Sequence, residues 1–279
     1  MVGPPAGEAK PAGTAGAAPH CLPGGMEMSR MQLRRSPAPV PCENCPLRAL
    51  PAFRELSPPE LAFMRVFKRG ELMVAAGATI LLEESASPHL YTILEGWAFR
   101  HKSIEDGRRQ VLNFALPGDL VGLQSAITHD MQHTVTALTE ARLCVFQRDQ
   151  LWSVFRDHPE LGFAMTWSAA HEEQLLDGHL LSIGQRTALE RTAYLVLHLY
   201  DRALAVGYAG NDAMPAPFGQ AHFADALGIT PVHLSRTLRK LRERGLLQWR
   251  DEVMAILDRP GLEELAAYER PDASPRPLI

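Results

Sequence analysis

The stretch from Gly219 to Leu247, GQAHFADALGITPVHLSRTLRKLRERGLL, constrains this chain more than any other. Its spacing predicts two helices joined by a tight turn. Gln220–Leu227 forms the first, with Phe223, Ala224 and Leu227 facing inward. Gly228 ends it, because glycine takes the positive φ of such a turn without a Cβ clash. Ile229 packs the turn, Thr230 is an N-cap, and Pro231 suits the first helical position, where no N–H is required. Leu234, Leu238 and Leu241 then recur at helical steps and turn inward. The opposite face carries Val232, His233, Ser235, Arg236, Arg239 and Lys240. Such a face has what a major-groove reader needs, side chains for base edges and charges for phosphates. The residues also suit an amphipathic hairpin with a solvated basic face, but cap, turn glycine and basic face all fall in one register.

The net charge of −4 does not mark a nucleic-acid binder. Distribution matters more than the total. Between Arg236 and Arg250 stand Arg236, Arg239, Lys240, Arg242, Arg244 and Arg250 against Glu243 alone. The basic charge is therefore local to the candidate reader. Length allows more than one core-burying domain. No apolar run approaches the roughly 18 residues of a membrane span, and no basic segment followed by an apolar one marks a secretory signal. The expected setting is cytoplasmic, with no membrane partner.

Residues 1–40 are rich in Ala, Gly and Pro and poor in large apolar side chains, so they are expected to be disordered. Cys42 and Cys45 in PCENCPLR are close enough to grip one metal or one edge of a cluster, and a CxxC in such a chain points to metal or redox chemistry. SPPELAFMRVF predicts a helix capped at Ser57. From about Lys68 to Phe146 short apolar or alternating runs (ELMVAA, TILLEE, LYTILEG, WAFRHK, QVLNFALPGDLVG, TVTALT, ARLCVFQ) are punctuated by glycines, with a hairpin tip at Glu105–Gly107. This pattern predicts an antiparallel jelly roll over 41–158. His129 and His133 fall in a predicted surface loop, where their spacing does not make a metal site.

Helical periodicity then runs over 159–186. Met165, Ala169, Leu176, Leu180 and Ile183 share one narrow seam with Glu172 and Glu173 in its middle. A long helix with such a stripe predicts a homodimer contact, and the like charges of Glu172 and Glu173 across it would weaken association. Packing against its own roll is the other use of that stripe. Over 187–260 a helix from Thr187 to Val206, a Gly/Pro-rich loop, the opening stretch and two short strands about Arg250-Asp251-Glu252 predict a winged helix-turn-helix. Residues 261–279 read as a short helix and a frayed tail. The fold class expected is α+β. No nucleophile–base pair, phosphate loop or complete ligand set marks an enzyme. A redox or ligand-binding module whose C-terminal helices bind protein is the competing class.

A roll, a long helix and a winged helix in this order, with PGDLVG at Pro117–Gly122 and ALGITPVHLSRTLRKLRERGLL, resemble the Crp/Fnr superfamily of transcription regulators. The resemblance implies a homodimer on a palindromic double-stranded operator, in contact with RNA polymerase. It implies that Arg236 reads a guanine, with Ser235 and His233 beside it. Gln220, Thr230, Arg239, Lys240 and Arg242 would mainly grip the backbone. Relatives often carry a Glu at the position of Val232, where this chain offers apolar contact to a thymine methyl. Cyclic-nucleotide binders hold the ribose with a Glu and the phosphate with an Arg. Leu123 and the His133-Thr134 pair stand there instead, so cAMP is not expected. The Fnr branch holds a [4Fe–4S] cluster on N-terminal cysteines and one on a late strand. Cys42, Cys45 and Cys144 match three of those positions and Pro51 stands where the pattern wants the fourth, which leaves Cys21, or else a carboxylate, a histidine or a small molecule, to fill the site. Three sensory readings stay open: a cluster or reactive cysteines answering oxygen or redox state, a metal-free FixK-like regulator set by another ligand or by expression level, and a haem-based sensor.

Overall fold

Two four-stranded antiparallel sheets build the first half of the molecule, because alternating apolar residues give each strand a face to bury against the other sheet. The computed structural model describes residues 38–271 and 274–279. Helix α1 (Pro58–Phe67) comes first, its entry fixed by the Glu60 carboxylate accepting from the Ser57 N–H at 2.7 Å. Strands β1 (Lys68–Val74), β2 (Thr79–Leu81), β3 (His89–Glu95), β4 (Ala98–Ser103), β5 (Arg109–Ala115), β6 (Leu120–Val121), β7 (Thr134–Ala137) and β8 (Ala141–Gln147) follow. They pair in the orders β1-β8-β3-β6 and β2-β7-β4-β5. Val74, Leu81, Ile93, Val121, Met131, Val135 and Leu143 fill the space between the sheets. Leu90, Leu94, Cys144 and Phe146 belong to a separate cluster with α1 residues Met64 and Phe67. Strand β3 is thus buried on both faces, which is why LYTIL carries no charge and only Thr92 and the Tyr91 hydroxyl are polar.

Each apolar run of the sequence became a strand. The short helix α2 (Leu123–Thr128), between β6 and β7, was not foreseen. Gly118 turns the chain between β5 and β6 at φ +90°, and a Cβ there would lie 2.3 Å from the Phe53 ring. Only glycine fits that close approach.

Helix α3 (Leu151–Asp157) leads into α4 (Pro159–Gln185), whose 27 residues span about 40 Å at ~1.5 Å per residue. Helix α5 (Ala188–Ala205) starts with a Thr187–Glu190 capping box. Then come β9 (Ala213–Pro215), α6 (Gln220–Leu227), α7 (Pro231–Glu243), β10 (Leu247–Arg250), β11 (Val253–Ile256) and α8 (Arg259–Ala266). The last three strands form one sheet in the order β10-β11-β9. The wing turns at Asp251 and Glu252, both at positive φ.

This half docks on the roll. Arg109 of β5 pairs with Asp225 of α6 at 2.7 Å, and the Gln110 amide donates to the Ala226 carbonyl at 3.1 Å. Arg202 of α5 donates to Asp119 at 2.5 Å and to the Phe114 carbonyl at 2.8 Å.

Two expectations change here. The final segment is not frayed: Arg276 exchanges backbone hydrogen bonds with Ala52 and Arg54, and its guanidinium donates to Asp119 at 2.8 Å. Leu278 and Ile279 are buried. Burying two such aliphatic side chains contributes about 1.5–3 kcal/mol each, a gain that composition alone does not reveal. The expectation of disorder over 1–40 lies outside the described residues except at 38–40. There the Ala38 carbonyl accepts from Arg142 and the Val40 N–H donates to Glu71.

Candidate nucleic-acid interface and thiol pocket

Helix α7 is built to show one face. Leu234 and Leu241 are fully buried, and Thr237 is buried with its hydroxyl donating to the His233 carbonyl. Val232, His233, Ser235, Arg236, Arg239, Lys240 and Arg242 are exposed, Val232 to 63%. Gly228 takes φ +62° at the turn. The Thr230 hydroxyl accepts from the His233 N–H at 3.2 Å, so this residue caps the helix first and has only its O–H left to donate to a phosphate. Gln220, exposed at the start of α6, borders one groove with Ser235, Arg236, Arg239, Arg242 and Trp249. The predicted readers thus come together on one surface. Trp249 is the member that sequence reasoning missed, because the wing's approach to α7 leaves no local signature.

The long helix departs from its predicted seam. Met165 is 1% exposed, buried with Leu161 and Ala164 in its own chain's core, and cannot meet a partner. Glu172 turns back to the roll, where it pairs with Arg100 of β4 and accepts from Asn113. It is therefore not an unpaired like charge in a seam, and that role is withdrawn for it. Ala169 and Leu180 are exposed, Leu176 and Ile183 half-buried. Ile183 lies beside the helix-turn-helix, 3.8 Å from where a Cβ on Gly228 would stand. Phe163 and Leu180 are each 70% exposed and Leu181 54%. A strict seven-residue step drifts around a straight helix, which is why the seam read from sequence crosses onto the inner face.

A cavity of about 480 Å³ lies between the roll and α4, bordered by Arg100, His133, Trp167, His171, Glu172 and Arg276. His133 is buried here at 4% exposure, not placed on a surface loop. It accepts from Arg100 Nε at 2.9 Å. Burial and the facing guanidinium push its imidazole down to about 3, so it stays neutral. The sequence offered no cation near His133; the fold supplies one from a strand 33 residues away. Arg100's charge is already met by Glu172.

The cysteines converge on the outer face of the first sheet. Cys42 and Cys45 bracket a 3₁₀ turn, and Cys144 of β8 stands opposite Thr92 of β3. Cys42, Cys45 and Cys144, all reduced, line one small cavity with Arg48, Lys68, Thr92, Leu278 and Ile279. Burial pushes the Cys42 thiol up and Cys144 to about 12, against the opposing pull of Lys68. These thiols are neutral and shielded. The space is about 20 Å³, room for about one water. A [4Fe–4S] cluster needs four ligands. Cys21, one candidate for the fourth, lies outside the described residues, and among those described no group of three or more His, Cys, Asp or Glu is arranged to hold a metal ion. Among the described residues the pocket brings three thiols together around room for about one water.

Comparison with known proteins bears on the whole arrangement. Residues 71–158 match the cyclic nucleotide-binding domain family and residues 190–265 the Crp-like helix-turn-helix domain family. The chain is 30% identical over 226 residues to the nitrogen fixation regulation protein FixK of Bradyrhizobium diazoefficiens, covering 81% of this chain and 94% of that protein. It is 27% identical over 209 residues to the transcriptional activator protein FnrL of Cereibacter sphaeroides, covering 74% and 83%. Among solved structures, FixK2 from Bradyrhizobium japonicum superposes with a TM-score of 0.65 at 26% identity, over 72% of this chain and 98% of that one. Among the described residues no helix is long and apolar enough to cross a membrane.

Proposed function

Since this chain belongs to the Crp/Fnr family of transcription regulators, we propose that it works as a homodimer on a palindromic double-stranded DNA site, with RNA polymerase as its further partner. The observation that carries this reading is the exposed outer face of α7, where Val232 and Ser235 are followed by Arg236, Arg239, Lys240 and Arg242. Arg236 reads a guanine edge, Val232 meets a thymine methyl, and Arg239, Lys240 and Arg242 neutralise phosphates. The apolar side chains that α4 leaves exposed, Phe163, Leu180 and Leu181, support association of two copies along that helix. Two α7 helices held about one DNA turn apart then read a repeated half-site.

For the sensory input we propose the state of the three thiols, with no resident cluster. Their convergence from two distant parts of the chain supports a sensing use, and the closed packing around them favours thiols over a cluster. Cyclic AMP is not part of the proposal: Leu123 offers no acceptor to a ribose, and Glu172 already answers Arg100. Protein purified without oxygen is expected to be colourless and iron-free and still to bind DNA. Brown protein with iron and acid-labile sulfide in near-equal amounts would overturn the thiol reading and leave DNA recognition untouched.

A further inference from the structure

The segment Ser274–Ile279 lies outside both matched domains, residues 71–158 and 190–265. It crosses the roll beside Ala52–Arg54 and ends over the cysteines. Its polar anchor is Arg276, whose guanidinium donates to Asp119 at 2.8 Å and to the Pro117 carbonyl at 3.2 Å, and lies 4.8 Å from the Phe53 ring centroid. Its apolar end is Leu278 and Ile279, 3% and 5% exposed. The Thr92 hydroxyl donates to the Ile279 carbonyl at 2.6 Å, and Thr92 is the cross-strand neighbour of Cys144.

We infer that Ser274–Ile279 is a strap closing a three-thiol pocket, and that Cys42 and Cys144 become a modification site for soft carbon electrophiles only when the strap lifts. Cys42 and Cys144 are each 8% exposed with the strap in place, and the Cys42 thiol is turned in toward the Met64 carbonyl at 3.7 Å. Two of the residues around them, Leu278 and Ile279, belong to the strap itself. Arg48 and Lys68 stand beside the sulfurs, and Arg48 Nε and Nη1 are buried with no hydrogen-bond partner among the described residues. Once a thiolate forms there, these cations stabilise it. With a maleimide the step is an addition: the sulfur bonds to one alkene carbon, the π bond is lost, and the thiol proton ends on the other carbon. No oxidant is needed.

The strap also shares its anchor with the DNA-binding half, because Asp119 receives both Arg276 and Arg202. Lifting the strap and undocking α5 therefore draw on one carboxylate. The inference leans on the thiol reading above only for its biological use; closure of the pocket stands on packing alone.

The test is native-state labelling of the full chain with N-ethylmaleimide, each cysteine followed by peptide mass spectrometry. In the unaltered protein Cys42 and Cys144 should react at least tenfold slower than in urea-unfolded protein, with half-buried Cys45 as internal reference. Leu278→Asp with Ile279→Asp puts charges where the pocket is apolar, and should speed both sites at least tenfold. Arg276→Ala, which keeps the apolar end, should move them in the same direction by less. Unchanged rates in variants with a native circular dichroism spectrum would overturn the strap. Should the variants not fold, the unaltered chain decides. Labelling of Cys42 and Cys144 that rises in urea well below the unfolding midpoint supports a lifting strap; labelling that tracks global unfolding alone refutes it.

Discussion

Arg236→Ala is expected to abolish most of this protein's choice of sequence while leaving much of its grip on DNA. Arg236 stands exposed on α7 next to Ser235, within the groove that Gln220, Arg239, Arg242 and Trp249 border. A bidentate contact from arginine to a guanine is worth roughly 1–3 kcal/mol of discrimination, and the dimer loses two of them, so the affinity ratio between operator and scrambled DNA should fall by at least about 30-fold. Lys240→Ala, by contrast, should weaken both DNAs alike and lower the salt dependence by about two phosphate contacts, one from each copy. Fluorescence anisotropy with the two duplexes at several salt concentrations separates these outcomes. If Arg236→Ala lowers both affinities equally, Arg236 is a backbone contact and the readout lies elsewhere on α7.

The second large effect is on stability. Asp119→Ala should lower the unfolding free energy by about 3–5 kcal/mol, the usual cost of removing one partner from a buried charge pair. Asp119 is 8% exposed and accepts from Arg202, from Arg276 and from the Leu116 N–H. Its removal leaves Arg202 with the Asn113 side chain and the Phe114 carbonyl, and the Arg276 guanidinium with the Pro117 carbonyl and the Phe53 ring. The held arginines keep Asp119 ionised despite burial. Asp119→Asn should lose less, since an acceptor remains. Urea unfolding followed by circular dichroism measures both. A loss below about 1 kcal/mol for the alanine variant would mean that the two arginines find solvent when released, and that the carboxylate does not clamp the winged half to the roll.

What the sequence disclosed, and what it withheld, follows the range of the interactions. The helix-turn-helix was legible to the residue, because Gly228, Thr230, Pro231 and the leucine steps act within one or two turns of chain. The roll was legible in kind, because each run such as LYTILEG carries its own turn signals. The recognition surface followed from the face that the leucines leave outside. The sensor half was not legible in the same way. His133 looked like a loop residue because its partner Arg100 comes from another strand. Glu172 looked like a seam acid because nothing nearby in sequence announces a cation. The final segment looked frayed because Leu278 and Ile279 gain their burial from Thr92, Cys144 and Met64, far away in the chain. The cysteine pattern correctly brought Cys42, Cys45 and Cys144 to one place. It said nothing of what else fills that place.

In the proposed dimer two copies of α7 read a repeated DNA sequence in register. The most direct measurement is selection of binding sites by the full-length protein from random double-stranded DNA, followed by sequencing of what is retained. The retained DNA should carry an inverted repeat whose half-sites are centred about 10 base pairs apart, one DNA turn, and Arg236→Ala should lose enrichment at one base of each half-site. Retained DNA with no shared motif, or a single half-site without its repeat, would contradict it.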